Sequence, residues 1–289
     1  MARKNGPFLI VMKIQDQFSS FAIFIARVYY EYMILDRIPR FKNSSFTDRA
    51  AAFAVGLLVL FILLLTATEA LCFWIPNWWR NEYAKYDTPS NVRGEMSLDD
   101  AVHVTEDMLD YCVGRLDTLD NSEATIDGVK EPFFTNREKQ HLYDCRVLFM
   151  KGMRARSISI ILSAGLILYI YVHNRKKTPR VLARGYLISL ACVLICTVVI
   201  AIASAINFTF VFTVFHKIFF NNDLWILYPD EDNLINIMQE NVFSDAAMWI
   251  AGMWIAASTL LAAISLIVLR KSDGSAESEP NSSESEAVS

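Results

Sequence analysis

Four apolar stretches constrain this chain more than any other feature. They run from about Ala50 to Phe73, about Ser157 to Val172, Gly185 to Ile206 and Ala246 to Leu269. Three of them reach the roughly 20 residues a helix needs to cross a bilayer. The second is shorter, so its helix is expected to begin further back, ahead of Arg154 and Arg156. Hydrocarbon offers the backbone no partners, so each crossing segment must satisfy its own N–H and C=O groups as a helix. The expected fold class is an all-α membrane protein with four transmembrane helices. The first stretch starts some fifty residues in, with no convincing small-x-small site after it, and reads as a span rather than a cleaved signal.

Charge sets the expected orientation. Arg37, Arg40, Lys42 and Arg49 precede the first span, "HNRKKTPRVLAR" joins the second to the third, and Arg270 and Lys271 follow the fourth. The positive-inside rule makes these faces cytoplasmic and puts both termini inside. Residues 77–151 and 207–245 then lie outside, as a small, mainly helical extracytoplasmic cap on a membrane domain of residues 50–270. Trp74, Trp78 and Trp79 read as an interfacial belt at the outer end of the first span, with Pro76 ending its helix. Residues 271–289 are polar and acidic and read as a disordered cytoplasmic tail. Residues 1–49 are apolar but broken by Lys13, Asp16, Arg27 and Glu31. They read either as an amphipathic cytoplasmic extension on the inner leaflet or as a non-native extension from a misassigned start.

Composition agrees and removes several classes. Hydrophobic residues make up 54% of the chain, above the roughly 45–50% of soluble domains. The net charge of −4 shows no basic groove for nucleic acid, and no P-loop, GxGxxG or zinc-finger spacing occurs. Five scattered cysteines make no disulfide framework. Cys192 and Cys196 read as packing residues, and Cys112 and Cys145 as a possible but unsupported pair. Glu69 is the one clear carboxylate within the spans, which argues against a transporter.

The chemistry-bearing residues lie in the two outer segments. "SLDDAVHVTEDMLDYCVGRL" reads as a helix with Ser97 as N-cap and Asp99 and Asp100 in its first turn. "DTLDNSEATIDG" reads as a loop or strand edge. "FFTNREKQHLYDCRVLF" reads as a helix capped by Thr135 or Asn136 and running into the second span. It places Glu138, His141 and Asp144 at three-residue intervals, so that Glu138 shares a face with His141 and Asp144 can orient the imidazole. In "FVFTVFHKIFF", His216 is flanked at helical spacing by Phe212, Phe219 and Phe220. His141 and His216 each adjoin the outer end of a span and can converge. An imidazole among phenylalanines has its charged form disfavoured and stays available as a base. His103 reads as a surface residue and His173 as a cytoplasmic interfacial one.

Three readings stand on these residues. One is an enzyme built on the two histidines. Another is a packed aromatic stripe in a non-enzymatic membrane protein whose cap binds lipid or a partner. The third is a metal-dependent lipid hydrolase with one metal on His141, His216, Glu138 and Asp144. Against the third, Glu-x-x-His occurs once where di-iron bundles need it twice, and there is no HExxH; a serine hydrolase would need GxSxG, which is also missing.

The two motifs, in this order on this frame, resemble a bacterial membrane-protein family, that of the lipoprotein intramolecular transacylase. The resemblance rests on "FFTNREKQHLYDCRVLF", with its Phe, Asn and Glu-x-x-His-x-x-Asp, and on "FTVFHKIFFNNDLWILYPDEDNLI" followed by "VFSDAA". Weaker likeness in "NEYAKYDTP", "MSLDDA" and "LDYC" extends it over about residues 50–270. It implies a multi-pass enzyme of the bacterial cytoplasmic membrane whose substrate is a diacylglyceryl lipoprotein among membrane lipids. The sn-2 acyl chain would move to the α-amino group of the lipidated N-terminal cysteine, without cofactor or metal. The family's two catalytic histidines map onto His141 and His216. Glu138, Asp144, Asn136, Tyr83 and Trp225 are then supporting candidates, and Phe212, Phe215, Phe219 and Phe220 the substrate pocket. The chain departs from the family at Gln239 and the single Phe243, where a proline usually precedes phenylalanines, and in its N-terminal extension.

Overall fold

The structure, a computed structural model, describes residues 45–92 and 94–277. The expected amphipathic extension therefore falls almost wholly outside the described residues, as does the tail beyond Glu277. The elements in order are α1 (Phe46–Phe73), α2 (Trp78–Tyr86), a 3-10 turn (Thr88–Asn91), α3 (Leu98–Val113), β1 (Glu123–Ile126), β2 (Val129–Pro132) and α4 (Asn136–Asn174). A second 3-10 turn (Arg175–Lys177), α5 (Thr178–Ile206), α6 (Phe208–Phe219), α7 (Leu234–Ile237) and α8 (Glu240–Glu277) follow. Among the described residues, three continuous stretches, 46–73, 136–206 and 240–271, are long and apolar enough to cross a membrane. The turn at Arg175–Lys177 divides the middle stretch into α4 and α5.

α4 shows where the helix of the short second stretch begins. It runs without a break from Asn136, so the apolar residues after Ser157 continue a charged helix that starts about six turns earlier. At the far end α8 extends through Glu277, past the Leu269 where hydropathy ends the fourth stretch.

The chain divides into two compact units. One comprises the chain to Leu58, Ser163–Ile206 and the chain from Leu260; the other comprises Val59–Leu162 and Asn207–Thr259. In the first unit Ser45 caps α1, its Oγ accepting from the Asp48 amide at 3.1 Å while the Asp48 carboxylate accepts from the Ser45 amide at 3.1 Å. α1 and α5 approach closely. A Cβ on Gly185 would fall 2.4 Å from the Ala52 carbonyl carbon, a contact only glycine permits. Ser189 Oγ crosses the same contact to the Phe53 carbonyl at 2.8 Å.

The second unit carries the larger core. Tyr83, Val104, Met108, Phe133, Phe134 and Ile237 are among its buried members. Ser97 caps α3 as expected, accepting from the Asp100 amide at 3.0 Å, and the helix ends at Gly114 with Arg115 N–H returned to the Asp110 carbonyl at 2.8 Å. The strand-edge segment is a β-hairpin, so this region is helical with one two-stranded addition. Asp127 and Gly128 both have positive φ, the requirement of a two-residue turn, and "DG" was its signal in the sequence. The tryptophan belt is corrected in part. Trp74 is exposed, but Trp78 is buried in the core with its ring edge-on to Trp79 at 4.6 Å.

Candidate active site

The site is assembled within the second unit from the first turns of α4, from α6 and from the loop after it. α4 starts with a capping box: Thr135 Oγ1 accepts from the Glu138 amide at 3.3 Å, and Glu138 Oε2 accepts from the Thr135 amide at 2.6 Å. Thr135, rather than Asn136, is therefore the cap. The other Glu138 oxygen accepts from the amide of Leu234 at the start of α7. Both oxygens are thus committed to backbone amides, and Glu138 is fully buried at 0% exposure. Burial pushes its carboxyl above the usual range, while the amides of Leu234 and Thr135 pull the other way. Glu138 holds the 228–237 segment against α4 instead of orienting His141. The Thr135–Asp232 contact at 3.2 Å and the Asn233–Phe133 contact at 2.7 Å serve the same junction.

One turn on, His141 is buried, and its ring centroid lies 6.1 Å from that of His216. Its Nε2 meets Cys145 Sγ at 3.6 Å, and its Nδ1 is buried without a hydrogen-bond partner. Burial first, then the neighbouring His216, lowers the His141 pKa to about 4, against a smaller upward pull from Asp144. Burial and nearby Asp144 push the Cys145 thiol up to about 12, so the sulfur is a neutral neighbour and no thiolate nucleophile. Asp144 itself is turned to Asn222, accepting from Nδ2 at 2.8 Å. The four-ligand metal set of His141, His216, Glu138 and Asp144 is not assembled, since both carboxylates face other partners. Among the described residues no cluster of three or more His, Cys, Asp or Glu is placed to hold a metal ion.

α6 starts at an Asn207 cap whose Oδ1 accepts from the Phe210 amide at 2.9 Å and delivers His216 into an aromatic cage. Phe212 lies 4.0 Å from the imidazole centroid, Trp225 stacks at 4.9 Å and 29°, and Phe215 and Phe220 stand at 5.5 Å. Phe220 also packs edge-on to His141 at 5.2 Å, so one ring touches both imidazoles. Phe219 packs on Phe215 at 4.7 Å and stands outside this cage. Burial lowers the His216 pKa, partly offset by a bond between Nδ1 and the Phe212 carbonyl at 2.7 Å.

Tyr83 is not spent on the imidazoles. Its hydroxyl bonds Thr105 Oγ1 at 2.7 Å and Met238 Sδ at 3.9 Å inside the core. Asn136 is exposed at the start of α4. His103 sits on the surface 3.8 Å from Asp107, and His173 rests on Tyr169 in the other unit. Sequence reasoning missed Arg137. Its Nη2 donates to the carbonyls of Asp223 at 3.0 Å and Ile226 at 2.9 Å, holding both sides of Trp225. Nothing in local spacing announces that reach across 86 residues.

Two imidazoles, both kept neutral and 6.1 Å apart, can bracket one reacting carbonyl, because each hydrogen bond spans about 3 Å. The profile of the lipoprotein intramolecular transacylase Lit matches residues 53–243, a range that contains both histidines. The chain belongs to the lipoprotein intramolecular transacylase family. A solved structure of the membrane-integral transacylase Lit from Bacillus cereus superposes with a TM-score of 0.62 at 19% identity, over 80% of this chain and 99% of that one. Two variants of the Bacillus cereus protein, with a histidine changed to arginine or to alanine, superpose with a TM-score of 0.58 over 79% and 78% of this chain. No curated protein sequence matches the chain. Membership gives the general activity, intramolecular acyl transfer on a lipoprotein by a membrane-integral transferase. The likeness in structure gives the fold.

Proposed function

We propose that this chain moves the sn-2 acyl chain of a diacylglyceryl lipoprotein to the α-amino group of the lipidated cysteine, leaving a lyso-form lipoprotein. The observation that carries this reading is the pairing of His141 and His216 at 6.1 Å, with the bond that His216 Nδ1 donates to the Phe212 carbonyl and that leaves Nε2 unprotonated. The neutral amine attacks the sn-2 ester carbonyl, forming a C–N bond. Nε2 of His216 takes the proton that nitrogen loses. The oxyanion forms beside His141, where the unpartnered Nδ1 can donate to it if that nitrogen carries the ring proton. On collapse the ester C–O bond breaks, and the glyceryl oxygen receives the proton held by His216. Protons balance without metal or cofactor, and both reacting groups belong to one molecule, so orientation is the larger part of the task.

The aromatic residues supply that orientation. Phe212, Phe220 and Trp225 fix the imidazole, while the exposed Phe210, Phe215 and Phe219 of α6 offer acyl chains an apolar approach. On this reading the chain crosses the bacterial cytoplasmic membrane four times, with α4 and α5 as separate spans. Both termini are cytoplasmic, and residues 77–151 and 207–245 form the extracytoplasmic cap. The test compares wild type, His141→Ala and His216→Ala expressed with a diacylglyceryl lipoprotein, by mass spectrometry of its N-terminal lipopeptide. Amide-linked acyl is expected with wild type alone; unchanged substrate in all three overturns the reading.

A further inference from the structure

The face of α4 that carries Asn136, Gln140 and Tyr143 lines an open cleft of about 520 Å3, closed by Asp144, Asn222 and Leu224. That volume lies in the roughly 300–1,000 Å3 range of ligand sites, and the wall mixes polar side chains with apolar surface such as Leu224. The cleft and the histidines share the 220–225 loop, which gives Asn222 and Leu224 to the one and Phe220 and Trp225 to the other. The Asp144–Asn222 bond at 2.8 Å belongs to its wall. Asn222 stands between Phe220, which touches His141, and Trp225, which stacks on His216. A single loop thus presents aromatic rings to the histidines and closes the cleft through the Asn222–Asp144 bond.

The wall offers the side-chain amides of Asn136 and Gln140 and the Tyr143 phenol, a mixture of donors and acceptors, while Asp144 and Asn222 are bonded to each other. Its lysine, Lys139, is paired with Asp120 at 2.7 Å. An acyl chain here would desolvate these groups without bonding them, and a phosphate would face Asp144. A peptide backbone, with alternating donors and acceptors, matches. Asn136 and Gln140 are one turn apart, about 6 Å along the axis, close to the roughly 6.7 Å over which an extended chain repeats the same edge. From Asp144 to Asn136 the helix leads away from the apolar residues that begin at Ser157. We propose that this cleft binds, in extended form, the polypeptide that follows the lipidated cysteine, over roughly three or four residues. The proposal rests on the transacylase reading, because it makes the cleft the exit for the protein part of that substrate.

The test uses the full chain in bilayer nanodiscs and a diacylglyceryl-cysteinyl peptide with a diazirine side chain on its third residue. Light is expected to attach the probe within residues 136–144 or 222–224, and attachment only elsewhere overturns the proposal. In parallel, kcat/KM is compared for that lipopeptide and for the diacylglyceryl-cysteine amide that lacks the peptide. The preference of wild type for the lipopeptide is expected to fall about tenfold in Gln140→Ala/Tyr143→Ala, both positions being exposed. An unchanged preference overturns the proposal. Attachment at 136–144 or 222–224 with no amide product from either substrate would sink the transacylase reading and leave a peptide site. Normal acyl transfer with attachment elsewhere would do the reverse.

Discussion

His216 Nδ1 lies 2.7 Å from the carbonyl oxygen of Phe212, one helical turn before it. A carbonyl oxygen only accepts, so Nδ1 carries the ring proton and Nε2 keeps its lone pair. The helix that presents the histidine therefore also sets its tautomer.

That relationship gives a first prediction. His216→Asn keeps a donor near the Nδ1 position but has no basic nitrogen in place of Nε2. Its kcat is expected to fall about 10²–10⁴-fold, the usual worth of a general base, with thermal stability close to wild type. Initial rates of N-acylation alongside a melting curve check both halves.

His141 makes stability depend on pH. Its folded pKa is about 4, against about 6.5 in an unfolded chain. Above pH 6.5 neither state is protonated and the full stability is present. As pH falls from 6.5 to 4 the unfolded state takes up a proton that the folded state refuses, and stability is lost. The shift corresponds to about 3 kcal/mol. Melting temperatures of wild type and His141→Gln between pH 4 and 7 are expected to show the steeper acid loss in wild type. Parallel slopes would contradict the burial argument.

Glu138→Gln should destabilise the protein without touching the imidazoles. One amide oxygen still accepts a backbone N–H, but the new NH2 faces the other N–H, leaving buried donors unsatisfied at a cost of about 1–3 kcal/mol. Hydrogen exchange is expected to rise at Leu234–Ile237, whose first amide the carboxylate holds.

Arg137→Lys tests how Trp225 is kept in place. The guanidinium reaches two carbonyls at once, and an ammonium on a flexible stem does not reproduce that planar fork. Exchange is expected to rise across residues 221–228, and kcat to fall about tenfold as the stacked indole loses its register. Unchanged exchange in that segment would show that the loop holds itself.

The apolar runs and the two histidine motifs were legible because they are local. Hydropathy over about 20 residues reports what a helix meets in a bilayer. The Glu-x-x-His-x-x-Asp spacing fixed which side chains share a face of α4, and the residues around His216 already named most of its cage. The capping box at Thr135–Glu138 was also there to be read, and it reassigns Glu138 from the imidazole to the backbone. Trp78 misled because a tryptophan near a span end looks the same in sequence whether it meets lipid headgroups or a protein core.

What the sequence by itself determined is the set of apolar helices and the presence of two histidines suited to base chemistry. These follow from side-chain transfer energies and helical periodicity, which neighbouring residues decide alone. Only the tertiary structure decided that the rings of His141 and His216 stand 6.1 Å apart, that Arg137 and Glu138 hold the 223–234 loop, and that Tyr83 belongs to the core. Each of these joins residues far apart in the chain. Such contacts depend on how the elements pack, and no local pattern encodes that.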